Sequence, residues 1–530
     1  MDKEESATQM DMLPGASEAA GEPGRVGQAG AGEAAEGREP RLQRVNRKQM
    51  LLRAVNVEQL IPDDHSARAI WELVGRLDRS PFHQEIAAVE GVAGRPALDP
   101  QLLISLWIYA YSEGASSARE IARLCEFDPA YQWLTGLEAI NHHTLSDFRV
   151  DHQGALDKLF TQVLGLLSAE GLITLQRVMH DGTKVKACAG GDTFRREEKL
   201  RAHLEMARQQ VAQMGDPRSE ELSRRVAKAR ERAARERQQR LELAQAELEK
   251  LRATKTSQEA QQEARVSETD PEARIMKQAD GGFAPSYNVQ ISTDATHGMI
   301  VGVDVSQSPT DYGQLVGAVE KVEENLRRAP EQVVVDAGFT GRDNILAMDS
   351  KGVDLIGSLG DGAAQAAGQM ARRGVDPAFH PAVFTYNPAS NTYRCPAGKT
   401  LVPAGKEKRV GVLQHKYRAP AADCAVCRWK QQCCPQKTLE GRTIVREEEA
   451  AAVVAFRAKM QTAEAKQIYR QRGAVAEFPN AWIKAKMGLR QFHLRGLGKV
   501  KMAAVWVCLT YNLQQWIRLR GRVPAAQGAA

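Results

Sequence analysis

The sequence predicts an α/β protein: a mixed-sheet core, preceded by an all-helical domain and interrupted by two insertions. Three observations predict it. From Tyr287 the hydrophobic period becomes two, as in YNVQIST and MIVGVDVS, and strands then alternate with helices, the pattern of an α/β core with mixed pairing. Upstream, from Ser66, apolar residues recur at helical spacing in several short blocks. Between Phe194 and Thr254 lies a long charged stretch whose apolar residues step by four and three, as the seam of packed helices does.

A chain of 530 residues suggests two to four domains. The net charge of +6 conceals an asymmetry: residues 1–40 hold nine acids and three bases, so the remainder carries +12. An acidic tail on a basic body points to a nucleic-acid partner for the body; ordinary surface charge is the alternative. No run of eighteen apolar residues is present, which argues against a membrane span. The start, MDKEESATQMDMLPGASEAAGEPG, lacks the apolar core of a signal peptide. The chain is therefore expected in the cytoplasm, with its eight cysteines as thiols or metal ligands rather than disulfides.

Taken in order, residues 1–45 are rich in Gly, Ala and Glu with no apolar face, and are expected to be a disordered tail. Residues 50–165 are expected to form a helical domain for DNA binding or dimerisation. Ile70, Trp71, Val74 and Leu77 fall at helical spacing. Pro100 opens LLISLWIYAYSEG and Gly114 ends it. SSAREIARLCEF, Asp128-Pro129 and AYQWLTG follow, and Thr144 is expected to cap LSDFRVDHQGALDKLFTQVLGLL. Short helices joined by tight turns resemble a helix-turn-helix module; a packing domain is the other reading.

Residues 173–187 look like strands around an Asp-Gly turn. Residues 194–263 are expected to be a coiled-coil hairpin insertion. Its seam is Leu200, Leu204, Ala207, Val211 and Met214, then Leu222, Val226, Ala229 and Ala233, then Leu241, Ala244, Leu248 and Leu251, with Gly215-Asp216-Pro217 as the break. Such an arm serves as a spacer or in self-association. The core is assigned to 170–360 and 445–520, with helices from Tyr312 to Leu326 and Arg342 to Ser350, and further strands in EQVVVDAGF and VDLIGSL. Residues 361–444 form a cysteine-bearing insertion, and 521–530 a flexible tail.

The chemistry is concentrated in acids at element ends. From Lys466 to Arg522 there are twelve Lys and Arg residues and one acid, Glu477. A segment so basic suits polyphosphate, and a lone carboxylate in it suits a metal ion held against phosphate. Asp181 follows an apolar-rich strand; Asp336 closes Val333-Val334-Val335, at the strand end where open α/β sheets place ligands. Three convergent carboxylates without histidine are hard ligands for Mg²⁺ or Mn²⁺. Two such ions about 3.5–4 Å apart can clamp an in-line displacement at phosphorus. Singly, each acid has a plainer reading: a hairpin turn at Asp181-Gly182, a loop cap at Asp336, a surface acid at Glu477.

Lys484 lies seven residues after Glu477, two helical turns, and so is expected on the same face, where it could hold phosphate. Arg472 and Tyr469 precede Glu477 by about one to two turns, and Lys486, Arg490 and Arg495 continue the basic, DNA-facing run. Pro479 either kinks this helix or separates two. Cys395, Cys424 and Cys427, with Cys433 or Cys434 as fourth ligand, have the spacing of a tetrahedral zinc site; unliganded thiols in a small β insertion are the alternative. Cys125, Cys188 and Cys508 are expected to be buried or inert.

HDGTKVKA, VVVDAGFTGRDN and YRQRGAVAEFPNAWIKAKMGLRQFHLRGLGKVK resemble the DDE transposases of bacterial insertion sequences over about residues 50–520. The resemblance implies an RNase H-like core with Asp181, Asp336 and Glu477 as its catalytic, metal-binding acids. It also implies two Mg²⁺ or Mn²⁺ ions, and Tyr469, Arg472 and Lys484 as the signature around the glutamate. Four residues separate Arg472 from Glu477, where the best-known signature has three. The implied activity is cleavage at the ends of a mobile element and strand transfer into target DNA, by at least a homodimer. A nuclease of the same fold and a catalytically dead DNA-binding scaffold are the other readings.

Overall fold

The computed structural model describes residues 47–48, 50, 52, 54–86, 88, 91, 96–213, 224–358, 362–409, 412–435 and 440–520. The expected tails, 1–45 and 521–530, and Met214, Gly215-Asp216-Pro217 and Leu222 of the arm lie outside the described residues. The chain divides into two compact units, Met1–Ala54 and Val55–Ala530; the elements below belong to the second.

The sheet is built around the strand Arg177–Lys186. On one side it pairs antiparallel with Phe283–Asp294, Val178 opposite Asp294 and Lys186 opposite Ser286. On the other it pairs parallel with Gln332–Val335, which pairs parallel with Asp354–Gly357. Ile300–Ser306 and Arg274–Lys277 both lie on the far edge of Phe283–Asp294. The architecture is thus mixed α/β. The Asp181-Gly182 hairpin turn is not formed. The strand runs straight through it, with Asp181 opposite Ile291 and Gly182 opposite Gln290. Gly182 lacks the positive φ that a tight hairpin turn demands.

Both faces of the sheet are covered, which explains its unbroken Val and Ile runs. One core joins Val178, Val185, Val289, Ile291 and Val303 to Trp107, Leu159 and Trp506. The other joins Met179, Val333, Val334, Val335 and Leu355 to Val453 and Phe456.

Among the described residues, seven α-helices fill the region before the sheet: Ser66–Arg76, Ser80–His83, Pro100–Ser112, Ala118–Phe127, Pro129–Thr135, His142–Asp151 and Gln153–Ala169. Two of their starts follow from aspartate caps: Asp99 accepts from Gln101 N, and Asp128 from Ala130 N and Tyr131 N. The cap expected at Thr144 is Asn141, whose Oδ1 accepts from His143 N at 2.9 Å, and the helix is interrupted at His152. The long helix Leu497–Arg520 is buried between these helices and the sheet. It is fixed by Trp506, whose Nε1 donates to Arg149 O at 3.2 Å. Arg149 is buried, donates to Ser116 O at 2.8 Å and lies over the Trp107 ring at 4.4 Å. Among the described residues no helix is long and apolar enough to cross a membrane.

Two insertions leave this frame. Glu197–Gln213 and Arg224–Ala253 run antiparallel, since Glu197 meets Arg252 and Arg208 meets Glu242. Leu200, Leu204 and Ala207 pack on Leu241, Ala244 and Leu248. The seam expected at Val226, Ala229 and Ala233 is exposed; Ala234 is the buried position there. The shorter helix has 17 residues against 30, so the first turns of the longer one have no facing side chains among the described residues. The second insertion is a five-stranded antiparallel sheet, from Thr385–Asn387 to Thr443–Glu448, around Phe384, Leu401, Tyr417 and Ile444.

Asn512 ties the long helix to the sheet: its Oδ1 accepts from Ile300 N at 2.8 Å and its Nδ2 donates to Ile300 O at 2.7 Å. Asn512→Ala strands both backbone groups in the core, at a cost of about 2 kcal/mol. A lowered urea midpoint is expected; an unchanged one contradicts this role.

Candidate active site

Asp181 and Asp336 owe their proximity to strand register. Val178 stands beside Val333 and Met179 beside Val334. The same offset puts Asp181 level with Asp336, the first residue beyond Gln332–Val335. Asp336 also caps the short turn Ala337–Phe339, accepting from Gly338 N at 2.8 Å, so its plainer reading is true as well. Burial is the main cause that pushes the Asp181 carboxyl up to about 6. Arg472 pulls it down, and the charges of Asp336 and Asp311 push it up.

Glu477 comes to this pair on a helical segment of unusual form. Ala463–Arg470 is followed by a π-helical turn, Gly473–Glu477, and then by Phe478–Ala485. Pro479 sits in the first turn of that last helix, where its missing N–H costs nothing; it opens a helix and kinks none. The π turn accounts for the extra residue between Arg472 and Glu477. It takes one more residue per turn than an α-helix, so position i+5 faces about where i+4 otherwise would. Arg472 Nη2 accordingly donates to Glu477 Oε1 at 3.4 Å, while its Nη1 lies 3.5 Å from Asp181 Oδ1. The arginine side chain is 14 % exposed and that of Glu477 61 %. Glu477 is therefore joined to Asp181 through a guanidinium.

The remaining sequence candidates divide. Lys484 is partly buried, and burial lowers its pKa; Asp181 raises it and Lys184 lowers it further. The acid acting on it is thus Asp181 rather than Glu477, whose helical face it was expected to share. Tyr469 packs against the core that holds Ala465 and Ala476 and takes no part in the carboxylate contacts. Lys486, Arg490 and Arg495 are exposed. Their segment is tied to the Asp181 strand by Lys186 N to Arg490 O at 3.2 Å and Phe492 N to Lys186 O at 2.8 Å.

Three residues were not foreseen. Asn480, one turn after Glu477, donates from Nδ2 to Asp181 Oδ2 at 3.2 Å. Asp311 accepts on one oxygen from Lys184 Nζ (3.1 Å), Asn288 Nδ2 (2.7 Å) and Gln290 Nε2 (3.0 Å). It fills the space left by Gly182, where a Cβ would stand 2.3 Å from Asp311 Oδ1. Gln290 Oε1 also meets His180 Nε2 at 2.9 Å, and His180 Nδ1 meets Ser292 Oγ at 2.9 Å. Burial lowers His180 to about 4, so the ring is neutral. One signal was available: Asn288, Gln290 and Ser292 alternate with Tyr287, Val289 and Ile291 along the strand, and buried polar side chains require partners.

Among the described residues no three His, Cys, Asp or Glu side chains stand close enough together to hold a metal ion. For the acids the reason is Arg472, which engages Glu477 and Asp181 itself. Hard chemistry for Mg²⁺ or Mn²⁺ is nevertheless present: two carboxylates at one level of neighbouring strands, and the buried Asn480 Oδ1, which has no hydrogen-bond partner. Cys395, Cys424, Cys427 and Cys433, the residues expected to hold zinc, line one small cavity together with Cys434. Cys395 Sγ accepts from Lys399 N at 3.3 Å, Cys424 Sγ from Arg442 N at 3.4 Å, and burial pushes Cys433 up to about 12.

The Asp181 value carries a sign. An acid raised from 3.8 to about 6 in the fold favours the fold when protonated. Its contribution is complete below the lower value and is lost as pH rises through the upper one. In metal-free protein the melting temperature should therefore fall between about pH 4 and pH 6, and Asp181→Asn should remove that part of the decline. Identical pH profiles for both proteins contradict the assignment.

A family model described as Transposase DDE domain matches residues 394–517, and one described as Transposase domain (DUF772) matches residues 55–151. No curated protein matches the chain. The first match takes in Arg472, Glu477, Asn480 and Lys484, and leaves Asp181 and Asp336 outside it. The second covers most of the helices that precede the sheet. Both matches lie on one polypeptide, and together they support a DDE-type insertion sequence transposase.

Proposed function

We propose that this transposase cuts DNA at the ends of a mobile element and joins them to target DNA, using Asp181, Asp336 and Glu477 as the acids of one divalent-metal centre in an RNase H-like core. The observation that carries the reading is the strand register that sets Asp181 level with Asp336, with the Glu477 segment hydrogen-bonded beside them. The mixed sheet, covered on both faces, supports the fold assignment. Bound Mg²⁺ or Mn²⁺ would supply positive charge against the scissile phosphate.

The chain's own residues supply the rest. Lys486, Arg490 and Arg495 are exposed and would contact DNA phosphates without reading sequence. Lys484 lies close enough to Asp181 for each to affect the other, and would hold a phosphate oxygen at the acid pair. Arg472 would exchange its two carboxylates for a DNA phosphate, two of whose oxygens suit the planar guanidinium fork, leaving Glu477 free to join Asp181 and Asp336. Water would displace the 3′-oxygen at the element end, and the freed 3′-hydroxyl would attack a target phosphodiester. Two ends handled together would require at least a homodimer on DNA, within the cytoplasm.

Asp181→Ala, Asp336→Ala and Glu477→Ala should each abolish strand cleavage in Mg²⁺ and leave binding to element-end DNA intact. Gel assays of cleavage and of binding check both parts. Full cleavage by any one variant contradicts the assignment of that acid.

A further inference from the structure

Asn480 is 7 % exposed, and its two ends are treated unequally. Nδ2 donates to Asp181 Oδ2 at 3.2 Å, whereas Oδ1 is buried without any hydrogen-bond partner. Buried amide oxygens are normally paired, so this one marks a place for an electropositive group. Charge fixes the orientation: turned over, the amide would set its oxygen against the Asp181 carboxylate. A second buried polar atom, Arg472 Nη1, also lacks a hydrogen bond and lies 3.5 Å from the other oxygen of Asp181. The polar surroundings of Asp181 are thus incomplete on both sides. Helix propensity does not explain the residue either, since asparagine is a poor helix former and stands here inside Phe478–Ala485.

We propose that Asn480 is a further residue of the metal centre: its amide N–H₂ orients Asp181, and its carbonyl oxygen is a neutral, hard donor to the divalent ion. This rests on the reading of Asp181 as a metal-holding acid. Neutral amide oxygens are ordinary ligands of hard cations. Together with Asp181 and Asp336, Asn480 gives the DNA-free protein a partial site while Glu477 remains engaged by Arg472.

The test is Mn²⁺ binding to the full-length, DNA-free protein, read from the electron paramagnetic resonance signal of the free ion. Asn480→Ala and the size-matched Asn480→Leu should weaken binding by roughly tenfold or more. Melting curves establish that each variant is folded. Wild-type affinity in folded Asn480→Ala or Asn480→Leu overturns the proposal. Asp181→Ala distinguishes the two levels of the argument: wild-type affinity in that variant overturns the underlying assignment of Asp181 as well.

Discussion

The parallel pairing of Arg177–Lys186 with Gln332–Val335 is the contact on which the site depends. It sets two acids 155 residues apart in sequence at one level of the sheet. Two carboxylates so placed oppose each other's ionisation, and burial adds to the effect at Asp181. The fold tolerates this because Arg472 and Asn480 both bring hydrogen-bearing nitrogens to that carboxylate. On the proposed reading, this partly buried acid, left with one cation and one amide, takes a further positive charge from the metal.

The sheet holds this register through what lies beneath it. Gly182 leaves a gap that Asp311 fills, and Asp311 gathers Lys184, Asn288 and Gln290 onto one oxygen. Gln290 continues to His180, and His180 to Ser292 and the edge of the Phe339 ring. The turn that follows Asp336 thus packs, through Phe339, against the polar network of the strand that carries Asp181. Asn288 Oδ1 has no partner in this network, but the groups that are paired fix geometry more firmly than apolar packing alone, because each of them, misplaced, would be left unsatisfied.

Much of the fold was legible in the sequence because local rules agreed with tertiary ones. The period-two runs after Tyr287 became strands, and Pro100 and Asp128 marked helix starts. The misreadings share a cause: a local signal outweighed by a distant partner. Asp181-Gly182 has the composition of a turn, but the glycine is required by Asp311, well over a hundred residues away. The spacing from Arg472 to Glu477 differed from the familiar signature, and a π turn absorbs the difference. Asn480 gave no signal at all, since its importance lies in a hydrogen bond to Asp181 and an oxygen with no partner.

The central claim is that three segments remote in sequence share one divalent ion when the enzyme is on its DNA. Replacing Mg²⁺ with Fe²⁺ and generating hydroxyl radicals at the bound iron cuts the polypeptide wherever the ion is close. On element-end DNA the account predicts cuts beside Asp181, Asp336 and Glu477, all suppressed together by excess Mg²⁺. Cutting at only one of these segments, or solely among the cysteines of the second insertion, would contradict it.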